Sequence, residues 1–160
     1  MRVGETGMKM MDLLREDFIL EDLKAAGKRE VLAELAGVFA RGKARFDLQE
    51  MLHVLLEREK LGSTGIGDGI AIPHGKLAGL EEIMLAFGRS REGIDFDTMD
   101  GKPAHLFFLL IAPEESAGQH LKVLAKISRM LKDADFRKRL LEAKGREELC
   151  TVLSEKDDEC

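Results

Sequence analysis

Apolar residues recur at helical spacing in four stretches of this chain and crowd into short continuous runs in four others. Val31, Leu35, Val38 and Phe39 line one face of a helix predicted over 28–40, which Gly42 ends. Leu48, Met51, Leu52 and Leu55 do the same over 47–59, where Asp47 is a good N-cap and Glu50 completes a pattern like the capping box. A third helix is predicted over 116–131, opened by Ser116 and Gln119 as a second capping box, with His120, Leu124, Ile127 and Leu131 on its apolar stripe. The segment 135–153 is helical, with Phe136, Leu140 and Leu141 before Gly145 and Leu149, Val152 and Leu153 after it. The short runs read as strands: 18–20, 70–72, 83–89 and 104–112. The last is the longest and most apolar, as expected of a central strand, and 83–89 is apolar enough to be buried on both faces. Segments 77–80 and 95–101 read as loops. This alternation predicts an α/β fold: a single domain with a mixed central β-sheet of about five strands and helices on both faces.

Composition narrows the picture. A chain of 160 residues is of one-domain size, and 44% hydrophobic content is enough for a sizeable core. Trp and Tyr are absent, so aliphatic residues, Met and eight Phe carry that core. The net charge of −5 argues against a nucleic-acid partner, which would want a basic stripe. No apolar run is long enough to span a bilayer, and the start lacks the apolar stretch of a secretory signal, so the expected location is the cytoplasm. Cys150 and Cys160 have no metal or redox spacing and read as free thiols in a reducing compartment. Residues 1–9 are expected to be a disordered lead-in to a domain over 10–155, with Met8 as an alternative start. The acidic residues 157–159 are expected to fray.

The chemistry concentrates in one segment, Gly62-Ser63-Thr64-Gly65-Ile66-Gly67-Asp68-Gly69-Ile70-Ala71-Ile72-Pro73-His74-Gly75-Lys76. Its glycines permit positive φ and close backbone approach, and their N–H groups could cradle an anion. Pro73 is expected to stop the strand, which would leave His74 at a strand end with one imidazole nitrogen free to attack and the other free to be oriented. Neither nucleotide fingerprint fits. After Gly62 and Gly67, Asp68 stands where a P-loop needs Lys, and the third glycine of a dinucleotide-binding turn falls on Ile70. On the residues alone, a glycine-rich surface turn with an incidental histidine is an equal reading.

The run from Arg58-Glu59-Lys60 through Gly75-Lys76 closely resembles the phosphorylation-site signature of the fructose/mannitol-type enzyme IIA domains of the bacterial phosphoenolpyruvate-dependent phosphotransferase system. It most resembles the nitrogen-regulatory IIA subgroup, and the resemblance extends from about residue 10 to 153. It implies that His74 is phosphorylated through Nε2 by an HPr-like phosphocarrier, its other ring nitrogen held by a backbone carbonyl. Arg58 would stabilise the phosphoryl group and His120 would be a supporting second histidine. Thr64, Gly65, Gly67 and Gly69 would form a phosphoryl-binding loop. It implies no metal and no other cofactor. A IIB domain or regulatory target proteins are the further partners it implies, with no nucleic acid and no membrane insertion.

Two functional classes follow: a phosphoryl relay that passes the group onward, and a regulatory binding module whose phosphorylation state selects its protein partners. A metal-dependent hydrolase built on His74 and His120 is a weaker third reading, since the two histidines have no ligand spacing. Asp68 is assigned no role. His105 and His53 read as a structural and a solvated histidine.

Overall fold

The longest apolar run folds as the axis of the sheet. In the computed structural model, which describes residues 9–116 and 118–159, β6 (Ala104–Pro113) is buried at every position from Leu106 to Ala112. It pairs antiparallel with β5 (Met84–Ile94) on one side, and parallel with β3 (Ile70–Ala71) and β4 (His74–Leu77) on the other. β1 (Ile19–Leu20) lies parallel to β5, and β2 (Gly65–Gly67) closes the far edge antiparallel to β3. The sheet is therefore mixed and has six strands in the order β1-β5-β6-β3-β2, with β4 also beside β6. Of the expected lead-in only Lys9 is described, and Cys160 lies outside the described residues.

The sixth strand arises where the sequence pattern predicts a stop. β3 and β4 keep one register against β6: Ile70 faces Leu106, Ala71 faces Phe107, and after the gap His74 faces Leu110 and Leu77 faces Pro113. Pro73 has no N–H to give, but its carbonyl still accepts from Leu110 N at 3.0 Å. Ile72 turns its own N–H aside to Thr64 O, also at 3.0 Å. Pro73 thus interrupts the ladder without ending the line. His74 opens a strand rather than closing one, and the expected loop at 77–80 starts one residue later.

Helices cover both faces, and two adjacent strand residues show it, since neighbours on a strand point to opposite sides. A side chain at Gly88 would collide with Leu35 of α1 (Lys28–Gly37) and with Leu23. The next residue, Arg89, reaches the other way, donating from Nη1 to the carbonyls of Leu140 (2.9 Å) and Ala143 (2.6 Å) at the end of α4 (Ala134–Glu142). Gly88 and Gly75 face Phe107 and Ile111 of β6, so they share the α1 side, and Gly75 lies under Val54 of α2 (Leu48–Lys60). His74 is one residue before Gly75 and points to the opposite side.

The helices start as the sequence reads, with one exception. The Asp47 carboxylate accepts from the N–H groups of Gln49 and Glu50, and Asp133 caps α4 in the same way. α3 (Gln119–Met130), however, begins after Gly118, whose φ of 86° is left-handed, and its N-cap makes no side-chain hydrogen bond. Gln119 is the first helical residue, so the Ser116–Gln119 capping box does not form. Ser116 Oγ lies 3.0 Å from His120 Nδ1 instead.

The acidic end does not fray. α5 (Arg146–Glu159) runs through it, and Asp157 is only 1% exposed. Its carboxylate accepts from the N–H of Met10 (2.9 Å) and Met11 (3.0 Å) and from Lys126 Nζ (2.5 Å). Burial alone would push this carboxyl up; the Lys126 ammonium and the Met11 and Met10 N–H groups outweigh it and hold it below the usual range. Its stabilisation is therefore present above the ordinary Asp value of about 3.9 and is lost as pH falls through the depressed folded value. Asp157→Asn should lower the unfolding free energy in urea at neutral pH by about 3 kcal/mol. The gap from wild type should close in acid, and a gap that persisted there would show that charge is not what stabilises.

Candidate functional site

The break between β3 and β4 leaves a backbone carbonyl with an unusual partner. Ile72 O accepts from the Nδ1 nitrogen of His74 at 2.8 Å. A carbonyl can only accept, so Nδ1 carries the proton and Nε2 keeps its lone pair. Among the described residues β4 pairs only with β6, so this imidazole stands at the sheet edge rather than inside the core. There it lines an open cleft of about 400 Å³ with Arg58, Leu61, Lys76, Leu110 and His120, among others.

Three of the residues marked in the sequence meet here: His74, His120 and Arg58. They come from different elements, the start of β4, the first turn of α3 and the last turn of α2. Arg58 is in the C-terminal turn and donates from Nη1 to Gly62 O at 2.8 Å, a contact exposed to solvent. Burial holds the His120 imidazole below its usual value, and the positive charges of Lys76 and His74 hold it lower still. The shift favours the neutral form of His120. Lys76 belongs to the site as well. The Pro-His-Gly-Lys run contained it, but strand alternation through Gly75 was needed to put it on the His74 side.

The four loop residues lie elsewhere. Thr64 is buried, its hydroxyl donating to Glu59 Oε2 and its N–H to Glu59 Oε1 (3.2 Å). Gly65 and Gly67 are in β2, and Gly69 completes a hairpin in which Gly67, Asp68 and Gly69 all have positive φ. That is what a tight turn of Asp-Gly type requires. The hairpin packs on 95–102: Met99 N donates to Gly65 O at 3.0 Å, and Asp100 Oδ2 accepts from Asp68 N at 3.1 Å. Hydrogen bonds from the Lys102 and Asp68 N–H groups hold the Asp100 carboxyl below its usual value. The anion at this loop is thus the chain's own carboxylate, and none of the four residues lines the His74 cleft. Among the described residues no group of three or more His, Cys, Asp or Glu could hold a metal ion, and no helix is long and apolar enough to cross a membrane. His105 Nδ1 lies 2.9 Å from Ser90 O and His53 is exposed, as read from the sequence.

The profile of the family described as "Phosphoenolpyruvate-dependent sugar phosphotransferase system, EIIA 2" matches residues 12–156. The chain is 44% identical over 147 residues to a nitrogen regulatory protein of Bradyrhizobium diazoefficiens, covering 92% of this chain and 95% of that one. It is 37% identical over 150 residues to the fructose-specific EIIABC component of Bacillus subtilis, covering 94% of this chain but 24% of that one. The crystal structure of nitrogen regulatory protein IIA-Ntr from Neisseria meningitidis superposes with a TM-score of 0.82 at 36% identity, covering 89% of this chain and 97% of that one.

The site geometry predicts a charge linkage. Lys76→Met should raise the pH at which His120 titrates, followed by NMR of its ring protons. An unmoved His120 would mean that Lys76 plays no part in setting its value.

Proposed function

The chain belongs to the EIIA 2 family of the phosphoenolpyruvate-dependent sugar phosphotransferase system, and on that premise we propose that Nε2 of His74 accepts a phosphoryl group from the phosphohistidine of a small HPr-like carrier. The observation that carries this is the 2.8 Å bond from His74 Nδ1 to Ile72 O, which leaves Nε2 unprotonated at an open cleft. No base is needed to free a nitrogen that already holds its lone pair.

The Nε2 lone pair attacks phosphorus as the carrier's own N–P bond breaks, and that bond's electrons return to the carrier imidazole. The His74 ring then carries both the phosphoryl group and the Nδ1 proton, and the Ile72 carbonyl supports the positive charge this creates. The transition state is loose and in line, so positioning and charge account for the catalysis. Arg58 exchanges its exposed bond to Gly62 O for the phosphoryl oxygens, which suit a guanidinium fork. With Ser116 Oγ–H donating to His120 Nδ1, the Nε2–H of His120 is the donor left for the same oxygens. In this scheme the loop of Thr64, Gly65, Gly67 and Gly69 sets the line of β3 and β4. The scheme uses no metal and no nucleotide, and it runs in the cytoplasm, where its donor is found.

Once loaded, His74 either hands the group to a IIB domain or presents it to regulatory targets. The regulatory reading is favoured because the chain matches a free-standing nitrogen regulatory protein over nearly its whole length. The added negative charge at the cleft then changes which protein surface can dock there.

Incubation with phosphoenolpyruvate, enzyme I and the carrier should add one acid-labile phosphoryl group to the intact mass, and His74→Ala should take none. Absence of any gain with competent carriers would overturn the reading. Arg58→Ala should slow loading by on the order of 10²-fold while leaving the melting temperature nearly unchanged. Phosphorylation should also raise the pH at which His120 titrates, because a nearby anion favours the imidazolium.

A further inference from the structure

One buried carboxylate outside the cleft is wired to the nitrogen of His74 that does not react. Glu59 follows Arg58 on α2, is 8% exposed, and pairs with Lys28 Nζ at 2.9 Å. Lys28 also meets Asp97 Oδ2 at 3.2 Å and sits over the Phe96 ring, 4.7 Å from its centre. The Glu59 carboxylate takes both donors of Thr64, the hydroxyl on Oε2 and the backbone N–H on Oε1 (3.2 Å). Thr64 is fixed on its other side too, since its carbonyl accepts Ile72 N–H at 3.0 Å. The carbonyl of Ile72 is the group that takes His74 Nδ1–H. Four consecutive hydrogen-bonded groups therefore run from the end of α2 to the imidazole, with Glu59 anchored at their head by an ammonium.

We propose that Glu59 is a positioning residue for phosphoryl acceptance: through Thr64 it fixes the Ile72 peptide, which selects the His74 tautomer whose Nε2 is free. The inference rests on His74 being the phosphoryl acceptor. Ile72 sits at the break in the sheet with its N–H and carbonyl turned away from β6, so pairing with β6 does not hold them. The tie to Thr64, which extends the β2–β3 pairing by one residue, does so, and Thr64 in turn lies in a glycine-rich segment with little stiffness of its own. The same helix end serves the second partner in the cleft: Glu59 O accepts Gly62 N–H at 3.1 Å, and Gly62 O is the acceptor for Arg58. Acceptor tautomer and phosphoryl-binding guanidinium are thus set from one dipeptide, Arg58-Glu59.

The test reads the tautomer directly in unphosphorylated protein, by NMR of the His74 ring nitrogens at a pH where the imidazole is neutral, beside the loading rate. The variants are Glu59→Gln, which keeps shape and removes charge, and Thr64→Val, which removes the hydroxyl alone; Thr64→Ser restores it. In wild type, the Nδ1–H form should dominate. Glu59→Gln and Thr64→Val should each move a measurable fraction to the Nε2–H form and slow loading by about five- to tenfold, the worth of about one hydrogen bond. Thr64→Ser should return both readings toward wild type. Folded variants with lower melting temperatures but an unchanged His74 tautomer would overturn the proposal and reduce Glu59 to a structural ion pair. If Glu59→Gln does not fold, Thr64→Val and Thr64→Ser decide it. A wild-type chain with the expected tautomer that takes no phosphoryl group would instead overturn the acceptor reading, so the two failures are distinguishable.

Discussion

A strand that lacks one N–H is the constraint from which the site follows. β3 and β4 hold a single register against β6, and Pro73 sits inside that line with no donor to contribute. That missing N–H is on the β6 side, while strand alternation turns the Ile72 N–H and carbonyl the other way, toward β2. The N–H continues the β2–β3 pairing to Thr64, and the carbonyl goes forward to His74. It is this carbonyl that orients the imidazole. Most of the neighbouring architecture serves to keep this break from spreading. β6 is buried along nearly its whole length, Gly75 leaves room for Val54 of α2, and the hairpin before β3 is pinned to the 95–102 segment by Asp100.

The cleft brings two cations together in a chain whose net charge is −5. Arg58 and Lys76 meet the two imidazoles at one sheet edge, where Glu57 also lines the cleft and apolar Leu61 and Leu110 form part of its wall. A site with this balance attracts an anion while offering a dry surface to whatever protein delivers it. Burial first, and Lys76 and His74 after it, hold His120 low, and an incoming phosphoryl group acts in the opposite sense.

The sheet was legible where local pattern and burial agree. The run at 104–112 could only be central, and Asp47 capped its helix as its side-chain chemistry predicts. His74 and Arg58 were legible as candidates because one long ordered signature carries them, and His120 because the wider resemblance has a histidine there; their convergence needed the fold to be seen. What was hidden depends on partners distant in sequence. The glycine-rich turn looked like an anion cradle, but its occupant, Asp100, is 32 residues away from the N–H it accepts. Ser116 and Gln119 had capping-box spacing, yet a left-handed Gly118 delays the helix. The acidic 157–159 segment looked frayed because composition does not reveal that Asp157 has two backbone N–H groups and a lysine waiting for it. Pro73 misled in the opposite direction, as it removes a donor without removing the strand's carbonyl.

That Asp157 contact bears on how the unit can be combined with others. Met10 and Asp157 are 147 residues apart in sequence and within one hydrogen bond in space. The polypeptide thus enters and leaves the sheet-and-helix body at the same spot, on the carboxylate that joins its first described turn to its last helix. A module with adjoining ends can be spliced into a longer polypeptide, or flanked on either side, without prising its strands apart. Linkers attached there would begin next to each other, leaving the cleft at the edge of β4 to face a neighbouring module or to stay free, according to linker length alone.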